Sequence, residues 1–212
     1  MRTAIIGGGA AGFFLAINLK EMMPTMGVTI FEKSKKVLAK VEVSGGGRCN
    51  CTNSFADVRD LSQVYPRGHR LMKRLFKTFD YHDAYSWFEN HGVRLVTQDD
   101  ACVFPASQDS HTIINTFLLY AKRLGVEILT ERKITSLDEL KDYDFIIVTT
   151  GGMPKTMLPM VSEPVEEPVP SLFTFNINDD DLRALMGTVV EEVTAYIPGK
   201  LRSEERFSRN AE

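Results

Sequence analysis

The strongest constraint on this chain lies in its first dozen residues, where a short apolar run breaks into Gly7-Gly8-Gly9-Ala10-Ala11-Gly12. The pattern G-x-G-x-x-G, directly after a strand-like segment and directly before a helix-like one, marks a tight strand-to-helix turn. Thr3–Ile6 reads as a buried parallel strand, and Phe13, Phe14, Ile17 and Leu19 read as the apolar side of the following helix. In such a turn Gly7 permits the sharp reversal, Gly9 lets backbone approach a pyrophosphate, and Gly12 lets helix and strand pack closely. The helix N-terminus offers unpaired N–H groups and a positive dipole end to phosphate. A second strand is expected over Gly27–Phe31 and ends at Glu32, twenty residues past Gly12. That is the distance at which a carboxylate accepts hydrogen bonds from an adenosine ribose, and its charge disfavours a 2′-phosphate there. The two features together predict a βαβ unit that takes an ADP-containing dinucleotide.

A chain of 212 residues, 43% hydrophobic and 25% charged, suits one large domain or one domain plus part of another. Its formal net charge of −3 gives no push toward nucleic acid or an anionic membrane. No apolar run approaches the roughly 20 residues of a membrane span. The N-terminus reads as a core strand rather than a signal peptide. Three cysteines point to a reducing compartment rather than a disulfide framework. The expectation is a cytoplasmic protein with a small-molecule substrate, no nucleic-acid partner and no membrane partner; the sequence leaves its oligomeric state open.

Past the βαβ unit, Lys33–Asn53 is a basic, glycine-rich loop. Residues 68–91 then read as helical, with Leu71, Leu75 and Phe79 on one face and Ala84, Trp87 and Phe88 continuing it. Val93–Val96 and Cys102–Phe104 predict a hairpin around Gln98-Asp99-Asp100. Ser110 is the expected N-cap of a helix through Ile113, Ile114, Phe117, Leu118, Ala121 and Leu124, ended by Gly125. Val126–Leu129, Ile134 with its neighbours, and Phe145–Val148 read as further strands. This alternation predicts an α/β domain with a mainly parallel sheet. Five of the nine prolines (154, 159, 164, 168 and 170) then fall in one stretch, which predicts an extended connection. Strands are expected over Ser171–Ile177 and Thr188–Ile197, flanking a short Asp-capped helix over Asp180–Met186. The resulting division is a dinucleotide-binding domain over 1–152, a linker over 153–170, part of a second, β-rich domain over 171–199, and a disordered charged tail over 200–212.

The loop Lys40–Asn53 reads KVEVSGGGRCNCTN. Ser44-Gly45-Gly46-Gly47-Arg48 has the composition of a second phosphate cradle: flexible N–H groups, a hydroxyl and a fork-shaped guanidinium. Asn50, Thr52 and Asn53 add groups suited to a ring edge or a ribityl chain. At this point the chain resembles the bacterial FAD-binding flavoproteins known as aminoacetone oxidase-like, or as NAD(P)/FAD-dependent oxidoreductases. The likeness runs through GGGAAG at 7–12, SGGGRCNCTN at 44–53 and YPRG at 65–68. It continues through Gln98-Asp99-Asp100 with VFPAS at 103–107, TTGG at 149–152 and PVPSLFTFN at 168–176. The resemblance implies FAD held in a glutathione-reductase-like Rossmann domain, with a second β-rich domain helping to form the substrate site. It places Gly7, Gly9, Ala10, Ala11 and Gly12 at the pyrophosphate and Glu32 at the ribose. Lys33 and Lys40 fall near the adenosine and phosphates, and the backbone of Ile134 at the adenine. Ser44, Gly45, Gly46, Gly47, Arg48, Cys49, Asn50, Thr52 and Asn53 approach the flavin half. Thr150, Gly151 and Gly152 end a strand in a turn past which the cofactor runs.

The chain departs from that pattern in three places. Ala101 stands where the family has glycine, the segment Met153–Glu167 is shortened, and members run to roughly twice this length. A C-terminally truncated member is therefore expected. Cys49 and Cys51 lack the two-residue gap of zinc or thioredoxin motifs, with no second Cys/His pair, so no metal is expected and inert packing is favoured over a redox pair. Arg67, His69, Arg70, Lys73, Arg74 and Lys77 form a basic face that reads as solvated. His82, His91 and His111 show no nucleophile or acid partner, so no catalytic base is assigned. The function expected is a flavin-dependent oxidoreductase on an unidentified small molecule, by amine oxidation or by NAD(P)H-linked reduction. Only one dinucleotide fingerprint is present, so NAD(P)H would serve as an electron donor without its own domain. The competing readings are a non-catalytic truncated dinucleotide-binding fragment and a tRNA-modifying flavoprotein.

Overall fold

The computed structural model describes residues 1–152 and 178–184. In order along the chain come β1 (Arg2–Ile6), α1 (Ala10–Met22), β2 (Gly27–Phe31), α2 (Ala39–Val43) and β3 (Thr52–Asn53). Then follow α3 (Leu61–Val64), α4 (His69–Leu75), α5 (Tyr81–Asn90), β4 (Leu95–Thr97) and β5 (Cys102–Pro105). Last in this part come α6 (His111–Arg123), β6 (Glu127–Leu129), a 3₁₀ turn at Leu137–Leu140 and β7 (Phe145–Val148). The chain divides into two compact units, Met1–Pro168 and Val169–Glu212. In the second, α7 (Asp180–Ala184) matches the start of the expected Asp-rich helix, whose remainder lies outside the described residues. So do the expected linker, the strands over 171–177 and 188–197, and the charged tail.

The central sheet is wholly parallel with strand order β6-β2-β1-β7. Its register sets Ile5 beside Ile30 and Ile147, and Ile6 beside Phe31 and Val148. Both faces are covered, which explains why β1 and β2 read as continuous apolar runs rather than alternating ones. The period of two still sorts the residues. Ile5 and Ile30 pack with Phe13, Ile17 and Phe117 beneath α1 and α6. Ala4, Ile6 and Phe31 pack on the other face with Ile134 and Leu140. This is the expected α/β, Rossmann-like architecture, and it brings the carboxyl ends of β1, β2 and β7 together at one edge. A second, antiparallel sheet of order β3-β5-β4 sets Thr52 opposite Val103 and Asn53 opposite Cys102.

Three local expectations are corrected. Residues 68–91 form two helices, because Asp80 caps α5: its carboxylate accepts from the N–H groups of His82 and Asp83, and Asp83 returns the bond to Asp80 N. The apolar stripe that joined them on paper is no core face: Leu71, Leu75 and Phe79 are 48%, 49% and 41% exposed. At α6 Ser110 holds the N-cap position as expected, but its side chain makes no capping bond; the Asp109 carboxylate accepts from His111 N at 2.8 Å in its place. Ser110 is buried instead, donating its hydroxyl to the Glu42 carbonyl at 2.9 Å. Ile134 is not in a strand; it is buried in a loop leading to the 3₁₀ turn.

Candidate dinucleotide site

The glycine turn is built as its spacing demands. Gly7 has φ +122°, and a Cβ there would lie 2.6 Å from the Thr149 carbonyl oxygen, so only glycine makes the reversal. A Cβ on Gly12 would sit 2.1 Å from the Gly7 oxygen, which is the close helix–strand approach in atomic terms. At Gly9, by contrast, a Cβ would meet nothing within 4 Å. The backbone there faces open space. α1 begins at this point with no side-chain cap and no acidic residue in its first turn, so its leading N–H groups and its positive dipole end are left for a ligand.

Glu32 stands at the end of β2 and is tied to the turn. One carboxylate oxygen accepts from Gly8 N and the other from Ser34 N, both at 2.8 Å. Burial opposes ionisation of Glu32, but the Ser34 and Gly8 N–H groups together outweigh it and hold the carboxyl below its ordinary range. An ionised carboxylate has about four acceptor positions. The N–H groups of Gly8 and Ser34 and the Ser34 side chain use part of that capacity, and acceptor capacity remains for a ligand hydroxyl.

The third wall comes from β7. The Thr149 hydroxyl donates to the carbonyls of Ile6 and Gly7 at 3.2 and 3.0 Å, latching the strand end to the turn. Thr150, Gly151 and Gly152 follow at the same edge, and Lys40 Nζ lies 3.8 Å from the position of a Cβ on Gly151. Leu38 N donates to the Gly8 carbonyl at 2.8 Å, so the segment after β2 folds over the turn and carries Lys33 and Lys40 past it. The structure thus gathers Gly7, Gly9, Ala10, Ala11, Gly12, Glu32, Lys40 and Thr150–Gly152 around one edge.

The second loop is anchored elsewhere. Ser44 Oγ donates to the Val41 carbonyl at 2.8 Å, and Gly45 packs so tightly that a Cβ would come within 2.9 Å of the Phe104 ring. The Arg48 guanidinium stands 4.2 Å over that ring, and its Nε donates to the Gly45 carbonyl at 3.2 Å. Cys51 N donates to the Val103 carbonyl at 2.8 Å and delivers the chain into β3. The Asn50 amide, turned to satisfy its surroundings, donates to the carbonyls of Thr52 and Val103 at 2.8 and 3.3 Å. These bonds fasten Gly45–Asn53 to β5. Ile134 lies apart, packed near Phe31. The Cys51 thiol hydrogen-bonds toward Cys49, which holds the Cys49 thiol down to about 7 against burial and pushes Cys51 up. None of the three cysteines is in a disulfide.

Among the described residues no group of three or more His, Cys, Asp or Glu could hold a metal ion. His91 is structural, stacked on Trp87 at 3.8 Å and bonded to the Trp87 carbonyl and to Glu21. Sequence reasoning missed Gly8, Ser34, Leu38 and Thr149. Three of these act through backbone groups that carry no side-chain signal. Thr149 needed the pairing of β1 with β7 to be known.

Residues 1–158 match the HI0933-like protein Rossmann domain. The chain belongs to that FAD-binding Rossmann family. Among its curated relatives, the 3-dehydro-bile acid delta(4,6)-reductase of Clostridium scindens is 26% identical over 150 residues, covering 71% of this chain and 36% of the reductase. The ribosomal RNA dihydrouridine synthase of Haemophilus influenzae is 25% identical, covering 92% of this chain and 54% of the synthase. This HI0933-like chain therefore spans about a third to a half of those relatives' lengths. The Mycobacterium smegmatis Sdh1 complex resembles it at a TM-score of 0.43 and 14% identity over 64% of this chain and 29% of that one, too slight a likeness to bear on function. The family match stands on the Rossmann domain; the narrower aminoacetone oxidase-like name has no support beyond the resemblance.

Proposed function

We propose that this chain is the FAD-holding part of a flavin-dependent oxidoreductase acting on an unsaturated small molecule. The observation that carries the reading is the uncapped N-terminus of α1, set beside the open backbone of Gly9, with the ionised Glu32 carboxylate at the neighbouring strand end. A pyrophosphate takes the N–H groups and dipole of α1, the ribose hydroxyls take the spare acceptor positions of Glu32, and Lys33 and Lys40 add positive charge. Ile134 contributes the adenine contact. Ser44–Asn50, Thr52, Asn53 and Thr150–Gly152 form the flavin end. When bound, the flavin supplies the hydride and electron chemistry; the chain's own residues bind, orient and screen it. One relative is named a reductase and the other a dihydrouridine synthase, which supports the reductive direction, with NAD(P)H as a diffusible donor.

The test is the visible absorption spectrum of the purified chain, with chromatography of what denaturation releases. Near-stoichiometric FAD is expected. Colourless protein that takes up no added FAD would overturn the reading. An RNA substrate is a second reading, favoured by the basic residues Arg70, Lys73, Arg74 and Lys77 in and just after α4 and by the name of the H. influenzae relative. Salt-dependent binding to ribosomal RNA, absent for small ring compounds, would select it.

A further inference from the structure

Two cavities adjoin β3 and share Thr52 and Asn53 in their walls. The larger, about 340 Å³, is lined by Thr52, Asn53, Phe55, Val58, Val64 and Tyr65. The smaller, about 260 Å³, shares Thr52 and Asn53 and adds Tyr81, His82 and Tyr85. Phe55 and Tyr81, one in each wall, are stacked on each other at 4.7 Å and 13°. Phe76 meets Phe55 edge to face at 5.6 Å and 88°, and Tyr65 meets Phe76 likewise at 6.3 Å. The rings are therefore locked by one another while Phe55 and Tyr65 remain partly exposed to the cavity.

The backbone is strained to achieve this. Phe55 has φ +54°, a conformation that bulky residues avoid. It is held there because Asn53 Oδ1 accepts from Phe55 N at 2.7 Å and Ser54 N donates to the Ala101 carbonyl at 2.8 Å. Strain of this kind collects at ligand sites, where the surrounding structure enforces it. The motif Tyr65-Pro66-Arg67-Gly68 fits the same purpose: α3 stops at Val64, Pro66 cannot extend it, and Tyr65 is left in the wall. None of the six lining residues of the larger cavity carries a charge. A charged guest would find no counter-charge among these six residues, whereas flat aromatic walls reward a flat guest. The volume is that of a small ligand site.

We propose that the larger cavity binds an uncharged planar ring, its face on Phe55 and Tyr65 and its polar edge on Thr52 and Asn53. Its role as the site of the substrate ring rests on the flavin reading above, because Thr52 and Asn53 join this cavity to the loop assigned to the flavin end. The binding itself does not depend on that reading.

Equilibrium dialysis of the intact chain, first stripped of cofactor and then loaded with FAD, tests it with three probes: 2-naphthol, its saturated counterpart decahydro-2-naphthol, and the anion naphthalene-2-sulfonate. The planar neutral probe is expected to bind about tenfold tighter than either of the others. Phe55→Leu and Tyr65→Leu, which keep apolar bulk but lose the flat ring, should each weaken 2-naphthol about tenfold. Phe55→Tyr should restore it, and FAD retention should stay within about twofold throughout. Equal binding of the three probes, no binding of 2-naphthol, or two folded leucine variants that bind like wild type would each overturn the proposal. Naphthol bound by a chain that takes up no FAD would support the ring site while sinking the flavin reading. FAD held with no naphthol bound would do the reverse.

Discussion

At the scale of single residues, the three glycines of the turn do different physical work and should fail differently. Gly12→Ala places a methyl 2.1 Å from the Gly7 oxygen, so it should cost about 1–3 kcal/mol of stability as well as FAD retention. Gly9→Ala meets no protein atom within 4 Å, so denaturant unfolding should change by less than about 0.5 kcal/mol while FAD retention drops about tenfold. Equal damage to stability from both would show that Gly9 does not face a ligand. Glu32 carries a pH signature. Its folded carboxyl titrates below the ordinary value of 4.5, so its stabilising contribution is present above that value and lost as pH falls through the lower one. The stability margin of wild type over Glu32→Gln, followed by urea unfolding of the cofactor-free chain, should shrink as the solution is acidified below about pH 4.5. A margin that grows on acidification would show that Glu32 is not held ionised by Gly8 and Ser34.

Among the elements, the β4–β5 hairpin offers the clearest prediction. Ala101 N donates to the Gln98 carbonyl at 2.9 Å, and Ala101 itself has φ +65°. This is a tight turn followed by a left-handed residue, the position glycine ordinarily fills. Ala101→Gly should therefore raise stability by up to about 1 kcal/mol, read as an upward shift of the urea midpoint. Much of the element plan was legible in the sequence. Thr3–Ile6, Gly27–Phe31 and Phe145–Val148 are strands because both faces of the sheet are covered and the apolar runs say so. Periodicity failed where it had no view of solvent: Leu71, Leu75 and Phe79 keep helical spacing although each is more than two-fifths exposed. At Ser110 the N-cap position is as expected but its hydroxyl is spent on a bond to α2, and at Ile134 burial needed no strand. The site divided along the same line. Gly7, Gly12 and Glu32 were legible because their chemistry is fixed by type and spacing. Thr149 and Leu38 were not, because each reaches the turn from a distant stretch of chain.

For the molecule as a whole, a ligand that binds only the folded form raises apparent stability by mass action. FAD at about one hundred times its dissociation constant should add about 2.7 kcal/mol and lift the melting temperature of the cofactor-free chain by about 5–10 °C. An unchanged melting curve at saturating FAD would sink the cofactor assignment at this scale. The latch described above also sets an order of events. The hydroxyl that closes the glycine turn belongs to Thr149, made 142 residues after Gly7. Contacts of such range are slow to form because the intervening chain must first be brought in. During synthesis, at about 5–20 residues per second, the turn waits on the order of ten seconds before its partner strand exists. Until then the first strand has an open flank where β7 will pair, and the nascent chain has the fingerprint of a nucleotide site without the site.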